Sequence, residues 1–306
     1  MEQAILHLKS GKRKHILRIQ SAALKAIHDY MYRQGVVQAM PIILSPETDP
    51  LNHPHFAATV EYYGQRLHMT KSMILHKQLS LLADGIDKIY FMSPNVRLEE
   101  SKLRETGRHL FEFTQVDIEL KDKTKKDFMK LTDGMIAAVY RFVIKECRED
   151  LEALERRLTV PKLPLKVYES QDLRDQLGEE FERIASERAE SPFWVKNFRR
   201  EFYDKEDKKR RGYYHNYDVI WPEGYGEALS GGEREWEHQE ILRKMNERKT
   251  DMKAFETYLR ISGQGIIPKT VGGGLGIERM VRFLSGQQHI RDVTLFPRVP
   301  GERIVF

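Results

Sequence analysis

The sequence predicts an α+β domain in which one antiparallel sheet is flanked by helices, and three features carry that prediction. Strand-like and helix-like stretches follow one another in irregular order. Several of the strand-like stretches come as antiparallel pairs. The 306 residues, 40% of them hydrophobic, are enough to bury a full core.

From His15 to Tyr32 the apolar residues Ile16, Ile19, Ala23, Ala26, Ile27, Tyr30 and Met31 recur at three and four, which predicts an amphipathic helix stopped by Gly35. Val36 to Leu44 reads as a strand. Pro41 within it demands an edge or interface position, because proline cannot donate to a central ladder. Phe56 to Tyr63 and Arg66 to Thr70 pair as a hairpin around Gly64-Gln65, with a helix from Ser72 to Ala83 behind it. A second strand pair follows and ends in Phe111 to Leu120. There Phe113, Val116, Ile118 and Leu120 alternate with Gln115, Asp117 and Glu119, so the polar face is expected to line something wet.

Asp127 to Leu158 predicts one long helix, ended by Pro161 and Pro164. Leu165 to Glu190 reads as charged helix, Phe193 to Phe202 as strand, Lys205 to Gly212 as loop and Tyr213 to Trp221 as strand. Glu233 to Lys249 reads as helix, and the cluster Gly272-Gly273-Gly274 with Gly276 leads directly into a last helix, Ile277 to Leu284.

The longest apolar stretches, Met40 to Leu44 and Met135 to Tyr140, are far too short to span a membrane. The single cysteine, Cys147, excludes an intrachain disulfide and a multi-cysteine zinc site, so a reducing cytoplasm is the expected compartment. Lys and Arg outnumber Asp and Glu by 51 to 46, a basic excess that suits phosphate-bearing partners but is too small to diagnose nucleic-acid binding.

Four clusters carry chemistry. Arg97-Leu98-Glu99 follows a strand, and after a charged loop from Glu100 to Gly107 the chain returns as Arg108-His109-Leu110-Phe111-Glu112-Phe113. Arginine forks and a histidine suit a triphosphate, and an aromatic suits a base ring, although a salt-bridged hairpin has the same composition. Gly272 to Gly276 with Arg279 lets a ligand approach the backbone at a helix start; no Gly-Lys-Ser or Gly-Lys-Thr follows, so it is not the lysine type of phosphate loop. Glu227 with Ser230-Gly231-Gly232-Glu233-Arg234 offers hard oxygens for magnesium and a guanidinium for a carboxylate. The fourth cluster is Pro41 to Glu47.

In this order the clusters resemble the three signature motifs of class II aminoacyl-tRNA synthetases, nearest in wording to the aspartyl and asparaginyl branch, and Ile290 to Arg298 adds to the likeness over residues 15 to 306. The resemblance implies that Arg97 holds the α-phosphate of ATP, that Glu99 and Phe113 bind and stack adenine, and that Arg108, His109 and Arg279 meet the phosphates, with Gly276 beside them. It implies magnesium on Glu227 and Ser230. It implies a carboxylate clamp at Arg234 beside Gly231, an acceptor for the α-ammonium at Glu47, and a substrate contact at Lys77. The loop from Glu100 to Gly107 is longer than the family's usual one, and Val96 stands where the family usually has phenylalanine.

The family's anticodon-binding barrel has no room before Val36, so a single catalytic domain over 1–306 is expected. A catalytic domain of this branch without the barrel, and with a reworked tip loop, resembles the archaeal asparagine synthetases related to asparaginyl-tRNA synthetase, and the resemblance implies the preferred expectation: conversion of aspartate, ATP and ammonia to asparagine, AMP and pyrophosphate through a β-aspartyl adenylate, without tRNA. The alternative is an aspartyl- or asparaginyl-tRNA synthetase paralogue, and a third reading is a catalytically silent amino-acid sensor. Gly35 to Leu44 resembles the first class II motif, and that resemblance implies a two-fold homodimer.

Overall fold

The computed structural model describes residues 2–51, 53–199 and 201–305. An eight-stranded sheet organises the chain, its strands lying in the order Val37–Ala39, Lys88–Val96, Glu112–Lys121, Thr270–Gly276, Gly226–Glu233, Asn216–Trp221, Phe193–Lys196 and Lys166–Glu169. The five inner pairings are antiparallel. Only the two edge strands, Val37–Ala39 and Lys166–Glu169, run parallel to their neighbours. This is the expected mixed fold, dominated by antiparallel pairing.

Helices Arg13–Arg33, Lys125–Glu146 and Ile277–Leu284 cover one face of the sheet. The alternation read from residues 111–120 decides which face: Val116, Ile118 and Leu120 join Ile16, Ile19, Phe128, Met135 and Val281 in the main core. Phe128 stacks on Tyr217 with ring centroids 5.2 Å apart, and Trp194 meets Tyr217 edge-on at 5.3 Å. Gln115, Asp117 and Glu119 are thereby turned to the opposite face.

Several boundaries differ from the sequence reading, each for a local reason. The strand expected over Val36 to Leu44 is broken: Val37–Ala39 pairs at the sheet edge, and Leu44–Ser45 pairs with His68 and Met69 in a separate three-stranded sheet. Pro41, which has no N–H to offer, lies between them. The long helix begins at Lys125 because Thr124 and Asp127 form a capping box, and it breaks at Cys147 before a short helix, Arg148–Ala153.

The charged stretch after Leu165 is not all helix. Lys166–Glu169 is the parallel edge strand, and helices Ser170–Leu177 and Phe181–Arg188 are separated by Gly178 at φ +79°. Phe193–Lys196 stops short of Phe202 because Asn197 takes φ +67°. Asn216–Trp221 starts three residues later than read. Glu233 ends a strand rather than starting a helix; its carboxylate accepts from Lys125 N at 3.0 Å, and helix His238–Arg248 begins beyond it.

Candidate active site

Two glycines of strand Thr270–Gly276 lie directly opposite two acids of strand Glu112–Lys121: Gly272 faces Glu119 and Gly274 faces Asp117. A Cβ on Gly272 would lie 1.9 Å from Glu119 Oε2, and one on Gly274 would lie 2.9 Å from Asp117 Oδ1. The missing side chains are the space into which the two carboxylates lean. On the next strand, Ala228 is an extra residue, since Val219 pairs with Leu229 but Ile220 pairs with Glu227. Such a bulge resets the two-residue alternation, so Glu227 and Ser230, three apart, face the same side.

Over this face lie two cavities. The first, of about 220 Å³, is lined by Arg97, Glu99, Arg108, His109, Phe113, Glu227, Gly276 and Arg279, together with His53, Gln115 and Glu278. The Arg97 guanidinium lies 5.0 Å from the centroid of the Phe113 ring, and its Nε donates to Lys71 O at 2.9 Å. Arg279 reaches back across the cavity floor, with Nη1 3.3 Å from Glu227 Oε1 and Nε donating to Arg108 O at 3.3 Å. Glu99 is buried and pairs with His53 Nε2 at 3.0 Å.

Burial, with Arg279 close by, pushes the His109 imidazole down to about 4, so it is neutral at pH 7. Burial raises the Glu99 carboxyl, but the hydrogen bond from His53 and the charge of Arg97 work against it and leave that carboxyl below its ordinary value. Glu278 goes the other way: burial pushes it up to about 7, although it accepts from Thr114 N at 3.0 and 3.1 Å.

The second cavity is smaller, about 90 Å³, and is walled by Asp49, Lys77, Asp117, Tyr203, Asp204, Ser230, Gly231, Arg234 and Gly274. Arg97 and Gln115 line both cavities, so the two adjoin there. Lys77 Nζ is 2.8 Å from Asp117 Oδ1 and 3.8 Å from Glu119 Oε2. Ser93 Oγ donates to the other oxygen of Asp117. Arg234, 2% exposed, donates from Nε and Nη2 to the two oxygens of Glu119 at 3.0 and 3.3 Å. Its Nη1 lies 3.6 Å from Asp204 Oδ1. Burial opposes the Arg234 charge, yet Glu119 and Asp204 more than compensate and its pKa is raised.

Of the thirteen residues singled out in the sequence, twelve line these cavities. Glu47 does not. Its carboxylate accepts from Thr257 N at 2.5 Å and Tyr258 N at 3.0 Å, capping the helix Glu256–Gly263, where the aligned N–H groups favour an anion. Asp49, two residues on, is the acid that lines the cavity, and it accepts from Tyr203 OH at 3.2 Å. Asp117 and Glu119 were signalled by the polar alternation. His53, Tyr203 and Asp204 lie outside regular elements, where no periodicity marks them.

Among the described residues no group of three or more His, Cys, Asp or Glu is arranged to hold a metal. Magnesium asks for less, because it takes one or two carboxylates and completes its shell with phosphate oxygens and water. Glu227 and Ser230, a carboxylate and a hydroxyl on one face, fit that demand. No helix among the described residues is long and apolar enough to cross a membrane.

Residues 1–300 match the family model described as tRNA synthetases class II (D, K and N). An asparagine–tRNA ligase of Desulforamulus reducens is 30% identical over 318 residues, an alignment covering 98% of this chain and 72% of that protein. One from Thermococcus gammatolerans is 27% identical over 315 residues, covering 97% and 71%. Among solved structures, the asparaginyl-tRNA synthetase from Pyrococcus horikoshii complexed with asparaginyl-adenylate superposes with a TM-score of 0.87 at 24% identity, over 99% of this chain and 72% of that one.

Proposed function

Because the chain belongs to the class II tRNA synthetases of the D, K and N group, we propose that it activates asparagine or aspartate with ATP and passes the activated amino acid to a hydroxyl of tRNA. One observation carries this reading: a cationic, aromatic-walled cavity and a small cavity of paired acids and bases adjoin at Arg97 and Gln115. A nucleotide in the first and an amino acid in the second bring α-phosphate and carboxylate together beside the Arg97 guanidinium.

In the first step a carboxylate oxygen attacks the α-phosphorus, and pyrophosphate leaves with the electron pair of the broken P–O bond. Arg97 neutralises charge building on the α-phosphate, while Arg108 and Arg279 hold the distal phosphates. His109, neutral at pH 7, adds a ring N–H without adding charge. Glu227 and Ser230 would hold a magnesium ion, which would supply further neutralisation of phosphate charge when bound. Asp49 takes the α-ammonium. Lys77 and Arg234 offer N–H donors to a carboxylate or carboxamide oxygen, and Asp204 accepts from a carboxamide NH₂. In the second step a ribose hydroxyl attacks the acyl carbon and AMP departs.

The relatives are tRNA ligases by name. These relatives favour tRNA as acceptor over the expectation of ammonia as acceptor and free asparagine as product, and they give no support to the expected exclusion of tRNA. The active form is read as a cytoplasmic homodimer, whose second copy covers the exposed Tyr32, Val37, Met40 and Ile43 beside the free edge of Val37–Ala39. ATP–pyrophosphate exchange tests the activation step directly. Exchange dependent on asparagine or aspartate, and absent with lysine, is expected; exchange with neither acidic nor amide substrate rejects the reading.

A further inference from the structure

Helix His238–Arg248 presents an apolar face, with Ile241 and Met245 in the second core beside Phe202, Phe255 and Tyr258. Lys244 sits on that same buried face and is 0% exposed. Its Nζ donates to Asp204 O at 2.6 Å and to Glu235 Oε2 at 2.8 Å. Of these two residues Asp204 is itself a wall of the second cavity, and Glu235 follows the wall residue Arg234 in the chain.

We propose that Lys244, which lies outside the cavity, is a positioning residue for the amino-acid substrate: it ties the Tyr203-Asp204 segment to Glu235 and so sets the gap between Asp204 and Arg234. The inference rests on the second cavity being the amino-acid site.

The segment from Phe202 to Lys205 has no ladder of its own. It is held by an isolated antiparallel bridge between Asp204 and Arg234, with Lys205 N donating to Glu233 O at 2.9 Å and Glu235 N to Tyr203 O at 2.8 Å. Asn216 Nδ2 fixes the outer oxygen of Asp204 at 2.9 Å. Lys244 adds a cationic clamp on the main chain of this segment, and it closes the loop through Glu235. Because Tyr203 OH also holds Asp49, movement of the segment shifts both ends of the bound amino acid.

Stability alone does not call for this arrangement. Replacing a buried ion pair by apolar or neutral groups of similar size is often neutral or stabilising, so the pair's distinctive contribution is a fixed geometry. Nothing in the cluster touches the nucleotide cavity, so the two substrates should respond differently.

The test is the pair variant Lys244→Met with Glu235→Gln, which leaves no lone buried charge and keeps an acceptor for Trp236 N and Glu237 N. Circular dichroism and melting establish that it folds; initial rates of pyrophosphate exchange then give KM for asparagine or aspartate and for ATP. The expected result is an amino-acid KM raised about tenfold or more, with the ATP KM within about twofold of wild type, since small misplacements of binding groups carry penalties of that order. If the pair variant does not fold, Lys244→Arg keeps the charge but crowds Asp204 O with a larger head, and the same split is expected. A folded variant with both KM values unchanged, or with both raised together, overturns the proposal. A wild-type protein that exchanges with neither amino acid overturns the proposed function instead, and this inference with it.

Discussion

Replacing Gly272 by alanine should cost the fold about 3–5 kcal/mol, the range measured when one partner of a buried ion pair is removed. The added Cβ would lie 1.9 Å from Glu119 Oε2 and 2.2 Å from Ile118 O. Neither neighbour is free to yield. Ile118 is in the ladder opposite Gly273, and Glu119 is held by the Arg234 fork and by Thr270 Oγ1 at 2.7 Å. Relief therefore opens the ladder or swings Glu119 away, leaving Arg234 buried with Asp204 at 3.6 Å as its remaining acid partner. Against a total stability of about 5–15 kcal/mol the loss is a large fraction. Urea unfolding followed by circular dichroism measures it. Gly276→Ala is the control, because the nearest atoms to its Cβ would be those of the Arg279 side chain, at an ordinary contact distance of 3.6 Å; alanine there is a poorer helix N-cap, worth about 1 kcal/mol. Equal losses in the two variants, or a Gly272→Ala protein within about 1 kcal/mol of wild type, would refute the argument from the acid–glycine pairing.

Glu227→Ala should leave melting nearly unchanged while abolishing pyrophosphate exchange at any magnesium concentration; near wild-type exchange removes the metal and Arg279-orienting roles. His109 is held neutral down to about pH 4 when folded, against about 6.5 unfolded, so the unfolded chain takes up the proton first and stability is lost as pH falls through that window. His109→Asn should flatten that limb relative to wild type, and parallel pH profiles for the two proteins would contradict the assignment. Sedimentation at micromolar protein should show a dimer, whereas a 36.0 kDa species alone would sink the proposed edge interface.

The sequence was most legible where periodicity or composition was forced by packing. Helix Ile277–Leu284 forms with the limits read for it, because the glycine cluster and the amphipathic pattern mark both ends. The alternation over residues 111–120 separated a core face from a polar face, and that face floors the second cavity through Asp117. Legibility failed where tertiary partners decide. Lys166–Glu169 is a strand because Phe193–Lys196 offers it an edge, which no local pattern announces. Glu47 and Asp49 are two acids of one loop, and only the arrival of helix Glu256–Gly263 from 210 residues away assigns Glu47 to capping and leaves Asp49 for the cavity. Tyr203 and Asp204 are placed by the bridge to Arg234 and by Asn216 and Lys244, tertiary partners that a stretch of chain with no repeat does not announce.

The acceptor is the centre of the account, and one incubation addresses it: labelled asparagine or aspartate with ATP, magnesium and the protein, divided into arms with tRNA, with ammonium, with both and with neither. The account predicts acid-precipitable label that appears only with tRNA, is released by mild base and is indifferent to ammonium. Labelled aspartate converted to free asparagine in the ammonium arms, with no label on tRNA, would contradict it.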